Sequence, residues 1–438
     1  MSAWAPYQPS DASPWNFQRA HHLHRRAAFG ASWAEIDRDL INGPQDAVAR
    51  LLEGKSRLEG VPEDFESLAA IIGQAAADSA SPERLKAWWL YRCLFTPHPL
   101  EERLTLMWHN HFATSNLKVD DLKLMKRQNQ TLRKHALAPF GELLRSLVHD
   151  PALLNWLDAP QNRKGHPNEN LGRELMELFT LGIGHYTEDD VKEAARALTG
   201  WTVRQGEFLF QAAVHDDGEK EILGRAGNLS GDDLVNHLLD QPATARRLAW
   251  RLTSEFFGEG VVDDRALDEL AAALRKNNLD VRACVETILR SELFFSQANI
   301  GSRVCDPVSF LIGPLRALES WRQSPSTLVL AEWISRMGQD LFYPPNVGGW
   351  PGGRAWLSTR TTIARANCMA ALIAGSLSTP TRSPDLRQLV AKYCDTQAST
   401  QPTRFFSRLL FGREIDSTPS DLSTSVIHLL TSSQAHLH

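Results

Sequence analysis

The chain has 438 residues and a mass of 49.0 kDa, and its charged residues give a formal net charge of −5 at pH 7. This balance does not supply the broad basic field that non-specific nucleic-acid binding requires, so we expect no nucleic-acid partner. The hydrophobic content of 42% is ordinary for a globular protein, and the length allows a large core.

The five cysteines are scattered and form no C-x-x-C pair, so the sequence predicts neither a zinc knuckle nor a thioredoxin-type redox motif. Buried free thiols in a reducing compartment are the simplest interpretation. The first residues do not combine a basic start with an apolar core, and no apolar run approaches the roughly 20 residues of a membrane span. We therefore expect a soluble, cytoplasmic protein without a membrane span.

Helical patterns dominate the chain. Ser32 with Glu35 three residues later, and Thr187 with Asp190, match the capping box that begins many helices. Amphipathic segments continue to the C-terminus without a repeat of fixed period and without an obvious linker. The patterns predict an all-α protein, with an N-terminal extension over residues 1–20 and a single helical domain over residues 21–438.

Two segments interrupt this pattern. Residues 206–224 contain two short apolar runs that flank Asp217-Gly218, a dipeptide that suits a type I′ turn, and they predict a small β-hairpin insert. Residues 342–355 are rich in glycine and proline and predict an ordered loop. We expect helix over more than half of the residues and no extended sheet through the core.

The segment "MWHNHF" carries His109 and His111 near the end of a helical pattern. Residues i and i+2 diverge by roughly 200° on a helix, so both imidazoles can serve one metal ion only if the helix ends near Asn110. The letters H-N-H alone do not indicate the nuclease motif, because that fold needs a β-hairpin followed by a helix. Hydrogen bonding at a helix end is the simpler interpretation.

Three glutamates and an arginine interrupt an otherwise apolar helical segment. Glu169, Arg173 and Glu177 follow an i, i+4, i+8 spacing, which predicts one stripe along a helix, and Glu174 lies three residues before Glu177. Such carboxylates can hold a cation or act as a general base. The alternative is a solvated or half-buried network that Arg173 neutralises. We expect Glu174 and Glu177 to be largely buried, with Arg173 or a histidine as partner.

The predicted hairpin carries three further candidates. His215 and Asp216 are candidate metal ligands, and Lys220 is a candidate for binding an anionic substrate. Residues of these types at a hairpin tip are usually exposed and need only turn chemistry to explain them.

The Gly/Pro-rich loop carries the last candidates. Arg354 suits bidentate binding of a carboxylate or phosphate, and exposed backbone amides can surround an anion. Asn346 and Trp350 belong to the same candidate substrate site. A structural loop that Trp350 and Trp356 anchor to the core is the alternative.

Several of these segments occur together in a recognisable order. "HLHRRAAFG", "MWHNHF", "RKGHPNENLGRELMELFTLGIGHYTEDDVKEAARALTGW", "HDDGEKEILGRAGNLSGDD" and "FYPPNVGGWPGGRAWL" resemble, from about His24 to about Asn367, a large bacterial family catalogued as "domain of unknown function eighteen hundred". The resemblance implies a helical protein without a settled activity, often encoded beside a sulfatase- or phosphatase-like partner, and often exported. The polar signature positions that it implies are His24, Arg25, Arg26, His109, His111, Asn168, Glu169, Asn170, Arg173, Glu174, Glu177, His215, Asp216, Lys220, Asn346, Trp350 and Arg354.

Two functions from different classes fit these observations. The first is an enzyme of unknown reaction whose polar segments converge on one site, with a divalent transition metal as a possible cofactor. Its candidate residues are catalytic Glu169, Glu174, Glu177 and Arg173, substrate-binding Lys220, Asn346, Trp350 and Arg354, and metal-binding His109, His111, His215 and Asp216. The second is a non-catalytic binding or scaffold protein for a sulfatase- or phosphatase-like partner. The first requires His109 or His111 to lie within about 4 Å of a carboxylate oxygen of Glu169, Glu174 or Glu177.

Overall fold

Amphipathic helices build most of the protein. The structure, a computed structural model, describes residues 2–55, 64–394, 402–415 and 421–438, of which 61% are helical. The helices of the first part are α1 Phe17–Ala27, α2 Trp33–Asn42, α3 Pro44–Glu53, α4 Phe65–Asp78, α5 Pro82–Phe95, α6 Pro99–His111, α7 Asn116–Val119, α8 Leu122–Lys134, α9 Phe140–Val148, α10 Pro151–Trp156 and α11 Asn170–Glu174. Those of the second part are α12 Glu188–Ala197, α13 Gly231–Asp240, α14 Pro242–Phe256, α15 Asp264–Lys276, α16 Val281–Arg290, α17 Pro307–Ala317, α18 Thr327–Arg336, α19 Thr359–Ala374, α20 Leu386–Tyr393, α21 Pro402–Phe411 and α22 Leu422–Thr431.

Local capping signals place several helix starts where the sequence predicts them. Ser32 and Glu35 form a reciprocal capping box at α2, and Thr187 and Asp190 form one at α12. Each box satisfies amide groups that the first helical turn leaves without an intrahelical partner. The all-α prediction is confirmed. None of the helices in the described ranges has both the length and the apolar character that crossing a bilayer requires.

The strands form two short hairpins instead of the single hairpin predicted over residues 206–224. β1 Trp201–Arg204 pairs with β2 Glu207–Phe210, and β3 Lys220–Ile222 pairs with β4 Arg225–Gly227, both antiparallel. Two-residue loops, Gln205-Gly206 and Leu223-Gly224, close the hairpins, and all four loop residues have positive φ, as a type I′ turn requires.

The Asp217-Gly218 dipeptide lies between the two hairpins and turns neither of them. The preceding Asp216 binds the guanidinium of Arg196 and also accepts a hydrogen bond from the amide of Gly218 at 2.9 Å. The contact with Arg196 and this local hydrogen bond keep the dipeptide in the connection, so the predicted turn position is wrong.

Two large hydrophobic clusters meet at α6. Leu104, Met107 and Trp108 belong to one cluster, which extends through α8 to α16. Leu106 belongs to the other, which α4, α5 and α17 to α22 build. Because α6 contributes to both, its C-terminal end, with the "MWHNHF" segment, is held between them.

A buried carboxylate also fixes α6. Glu102 (0% exposed) accepts hydrogen bonds from Trp89 Nε1 at 3.2 Å and from Arg92 Nε at 2.7 Å, and it binds Arg133 through both carboxylate oxygens. These charge-assisted bonds tie α6 to α5 and α8. They hold the pKa of Glu102 below its usual value, although burial alone would raise it.

The neighbouring glutamates provide a matched test of this junction. We expect Glu102→Gln to lower the free energy of unfolding by about 3–5 kcal/mol, because two buried guanidinium groups lose their counter-charge. Glu101→Gln is the control, since burial and the charge of Glu102 raise the pKa of Glu101 to about 7. Its ionised form therefore weakens the fold as pH rises from about 4.5 through 7, so this variant should gain stability relative to wild type over that range. Urea denaturation at pH 5 and pH 8 measures both effects, and equal losses in the two variants would contradict the expectation.

Candidate functional site

The charged residues that the sequence predicts to form one stripe lie in two different environments, one exposed and one half-buried. Arg173 binds Glu169 at 2.9 Å and Glu188 at 2.7 Å, and all three side chains are at least about a third exposed. Exposed ion pairs of this kind contribute little free energy. Glu169 and Arg173 therefore form a solvated network at the surface.

Glu174 and Glu177 are half-buried, and neither forms a hydrogen bond or ion pair with the predicted partner, Arg173 or a histidine, within the described residues. Glu177 accepts a hydrogen bond from the neutral Tyr186 hydroxyl at 2.5 Å, and the described residues give Glu174 neither a hydrogen bond nor an ion pair. Burial, and next the charge of Glu177, raise the pKa of Glu174. Burial, and next the hydrogen bond to Glu177, raise the pKa of Tyr186 to about 12.

A π-helix explains why the stripe does not continue. Residues Leu175–Thr180 form i→i+5 turns directly after α11. The wider turn changes the direction of Glu177 relative to Arg173, so the i, i+4 rule for an α-helix does not apply to this pair.

His111 forms a hydrogen bond with a backbone carbonyl near the end of the π-helix. Its Nε2 lies 3.2 Å from the carbonyl oxygen of Phe179, and because a carbonyl can only accept, this nitrogen carries the proton. Burial, and next the charges of Arg251 and Arg247, lower the pKa of His111 well below its usual value. The "MWHNHF" segment thus packs against the "NENLGRELMELF" segment as expected, but through a carbonyl and aromatic rings.

His109 lies in an aromatic cage and forms no ion pair with a carboxylate in the described ranges. Its ring packs against Trp89, Phe342 and Trp350 with centroid distances of 5.1 to 5.8 Å. Burial lowers its pKa to about 3, and its Nε2 has no hydrogen-bond partner in the described part of the chain. No ion pair within 4.0 Å joins His109 or His111 to Glu169, Glu174 or Glu177, so the predicted imidazole–carboxylate contact is wrong. The apolar cage favours a neutral ring.

The candidates near the hairpins collect around Arg196 on α12. His215 donates from Nδ1 to the carbonyl of Thr199 at 2.8 Å. Asp216 binds Arg196 at 2.8 Å, and this bond holds its pKa at about 2. Lys220 is buried (1% exposed) and donates to the carbonyl of Gly218 at 2.9 Å. These contacts link the hairpins to α12, and each polar side chain of the cluster already has a hydrogen-bond or ion-pair partner.

The four metal-ligand candidates do not come together. His109 and His111 lie at the end of α6, whereas His215 and Asp216 lie beside α12. Among the residues that the structure describes, no group of three or more His, Cys, Asp or Glu side chains is arranged to hold a metal ion.

The Gly/Pro-rich loop meets the end of α6 through one side chain. Asn110 accepts the amide proton of Trp350 at 2.7 Å and donates to its carbonyl at 3.2 Å. Gly349 must be glycine here: its φ is +77°, and a Cβ would lie 2.2 Å from Asn110 Oδ1. The loop buries Trp350, while Asn346 and Arg354 stay exposed.

This junction forms one wall of a cleft with a volume of about 930 Å³. The C-terminal parts of α6 and α14, the following turn and the segment around Ser302–Asp306 form the other walls. Two predicted residues, Trp350 and Arg354, line the cleft; Asn346, Lys220 and the glutamates of the π-helix segment do not. Among the lining side chains that the sequence analysis did not single out are four buried or half-buried charged groups, those of Arg251, Glu255, Arg303 and Asp306.

Ion pairs organise the floor of the cleft. Arg103 (0% exposed) binds Glu255 at 2.6 Å and Asp306 at 3.0 Å, and Arg303 binds Glu255 at 3.3 Å. His438 receives a hydrogen bond from Arg303 on Nε2 at 3.0 Å and donates from Nδ1 to the carbonyl of Arg25, so its ring is neutral. Both carboxylates of the floor, Glu255 and Asp306, thus form ion pairs with arginine side chains.

Within the part of the chain that the structure describes, Arg251 is a cation of the floor that has no carboxylate partner. Its Nη2 donates to the carbonyl of Met107 at 2.9 Å near the end of α6, a favourable position for a cation. Its buried Nε has no partner in the described ranges. Burial lowers its pKa to about 10, with a smaller opposing effect of Glu255, so it stays charged at neutral pH.

A family model described as "Protein of unknown function (DUF1800)" matches residues 22–435. The chain belongs to the DUF1800 family. The match confirms the resemblance that the sequence motifs indicate. No curated protein and no solved structure shows significant similarity to the chain. Because no relative of known function is at hand, we infer the function of this DUF1800 protein from its cleft.

The Asn110 clamp makes a testable contribution to the cleft wall. We expect Asn110→Leu to lower the free energy of unfolding by about 1–3 kcal/mol, because the buried peptide groups of Trp350 lose both partners. Asn110→Asp keeps the acceptor and should lose less. Arg354→Ala, at an 89% exposed position of the same loop, is the control and should change stability by less than about 0.5 kcal/mol. Urea denaturation followed by tryptophan fluorescence measures all three, and a silent Asn110→Leu substitution would contradict this role.

Proposed function

We propose that the protein is a binding protein rather than an enzyme, and that the cleft between α6, α14 and the Gly/Pro-rich loop holds a ligand with an anionic group. The observation that carries this proposal is Arg251, a largely desolvated guanidinium that lines the cleft and has no carboxylate partner among the described residues. A guanidinium in this state is suited to a carboxylate, sulfate or phosphate oxygen.

The charge balance behind the floor supports the same ligand class. Arg103, Arg251 and Arg303 face two buried carboxylates, Glu255 and Asp306. Arg26 (0% exposed) lies behind them, and its partners among the described residues are neutral groups, those of Asn299 and Ser302. Burying a surplus of positive charge costs free energy, and a bound anion offsets part of that cost.

The state of the carboxylates favours binding over catalysis. A general base must be free to take a proton. Glu255 is held by Arg103 and Arg303, and Asp306 is held by Arg103 and Ser309. Nearby guanidinium groups keep the pKa of Asp306 low although burial opposes them.

The family resemblance adds a partner to this proposal. A sulfatase- or phosphatase-like protein acts on anionic groups of the kind that Arg251 would hold. We propose that the protein presents or retains such a ligand for a partner of this class, with the exposed rim around Arg354 as the contact surface.

An enzyme remains the second candidate, and one observation favours it. Glu174 is half-buried, has a raised pKa and has no partner in the described ranges, which are properties of a general acid or base. If this candidate is correct, hydrolysis of nitrophenyl phosphate, sulfate or acetate by wild type should fall at least about a hundredfold in Glu174→Gln. Glu169→Gln, in the exposed network, is its matched control. No hydrolysis of any of the three esters by wild type would count against it.

The anion-binding proposal predicts a specific dependence on Arg251. Titration with sodium sulfate, phosphate and acetate at constant ionic strength should change the tryptophan fluorescence, because Trp250, Trp350 and Trp356 line the cleft. Arg251→Met should weaken binding about ten- to a hundredfold, since a hydrogen bond to a charged group contributes about 1.5–3 kcal/mol. Arg145→Met, which removes an exposed arginine bound to Asn236, is the control.

Folding of the variants must be measured beside the titration. Arg251→Lys keeps a cation and serves as the second variant if Arg251→Met loses stability along with its bond to Met107. Equal anion affinities in wild type and both Arg251 variants would refute the proposed function.

A further inference from the structure

We propose that the ligand of this cleft is a small organic acid, in which a single anionic group is attached to an apolar aromatic or alkyl body. This inference rests on the proposed function and specifies the class of its ligand. Three features of the cleft carry it: its size, the apolar groups in its lining, and the acidic residues at its rim.

The size of the cleft favours a ligand larger than a free inorganic anion. Its volume of about 930 Å³ is near the upper end of sites for organic ligands, whereas one water molecule occupies about 30 Å³ of liquid. A sulfate or phosphate ion on Arg251 would leave most of this space filled with water. A ligand that fills it needs a body of many non-hydrogen atoms.

The lining provides an apolar surface for such a body. Trp250 and Leu437 are 42% and 36% exposed, and together with Trp356 and Val262 they border the cleft. Exposed tryptophan and leucine side chains cost free energy in water, and an apolar ligand that covers them removes that cost. Trp250 is also held in position, because the guanidinium of Arg247 lies 4.3 Å from the centre of its ring.

The rim limits the number of anionic groups. Glu259, Asp263 and Asp264 line the outer part of the cleft and are exposed. Arg354 lies 3.8 Å from Glu259 and is 89% exposed, so it offsets little of this negative charge. The potential therefore changes from positive at the floor to negative at the rim, and a polyanion would meet repulsion where it leaves the cleft.

The experiment compares probes that differ in one property at a time. The comparison of phosphate with phenyl phosphate, and of acetate with phenylacetate, tests whether an apolar body adds affinity. Phenylacetamide, which is neutral, tests whether the charge is needed. Inorganic tripolyphosphate tests whether more than one anionic group is accepted. Tryptophan fluorescence and calorimetric titration of the full chain give the affinities. We expect the phenyl compounds to bind at least about tenfold more tightly than the matching simple anions. Phenylacetamide should bind no more tightly than acetate, and tripolyphosphate should bind no more tightly than phosphate.

Two aromatic substitutions locate the effect. Trp250→Ala should remove most of the phenyl advantage, so that phenyl phosphate and phosphate bind with similar affinity in calorimetric titration. Phe210→Ala, at an exposed aromatic of β2 that does not line the cleft, should change neither affinity.

The outcomes separate this inference from the proposed function. If phosphate and phenyl phosphate bind equally, and both depend on Arg251, the organic body is refuted and the anion site stands. If tripolyphosphate binds best and depends on Arg251, the single-charge specificity is refuted. If no probe depends on Arg251, or none binds, the proposed function and this inference fail together.

Discussion

The cleft depends on one buried cation. The guanidinium of Arg103 on α6 lies between Glu255 on α14 and Asp306 at the start of α17, and it is 0% exposed. Removing any one of these charges would leave another buried without compensation, so the three helices must keep their relative positions. The position of α6 then fixes where Asn110 receives the Gly/Pro-rich loop. The position of α14 fixes the guanidinium of Arg251 at the floor.

Local interactions made much of the fold predictable from the sequence. Capping boxes such as Ser32–Glu35 act within one turn of helix. The spacing of hydrophobic residues that distinguishes a helix from a strand likewise depends only on near neighbours. The hairpin turns were harder to locate, because Gln205-Gly206 and Asp217-Gly218 both carry a glycine that suits a tight turn. The choice between them came from Arg196, which binds Asp216 from a different part of the chain. No local pattern contains that contact.

The site was less predictable for two physical reasons. The spacing of Glu169, Arg173 and Glu177 predicts a stripe only if the helix is regular, and the π-helix over Leu175–Thr180 invalidates that assumption. Charge spacing also gives no information on burial. Arg247, Arg251 and Glu255 have the same i, i+4, i+8 spacing on α14, but there the residues near the cleft are desolvated. A search for this spacing next to the aromatic Trp250 would have found them.

The Asn110–Trp350 contact has a consequence for how the protein acquires its cleft. These residues are separated by 240 positions, and Arg103 reaches Asp306 across 203 positions. Closing such long loops is entropically costly, and contacts of this range slow folding. On a ribosome the N-terminal helices emerge first, and α6 must wait for the loop that Asn110 will hold. The cleft is therefore a property of the completed chain, and a product truncated before the Gly/Pro-rich loop lacks the wall that this loop forms.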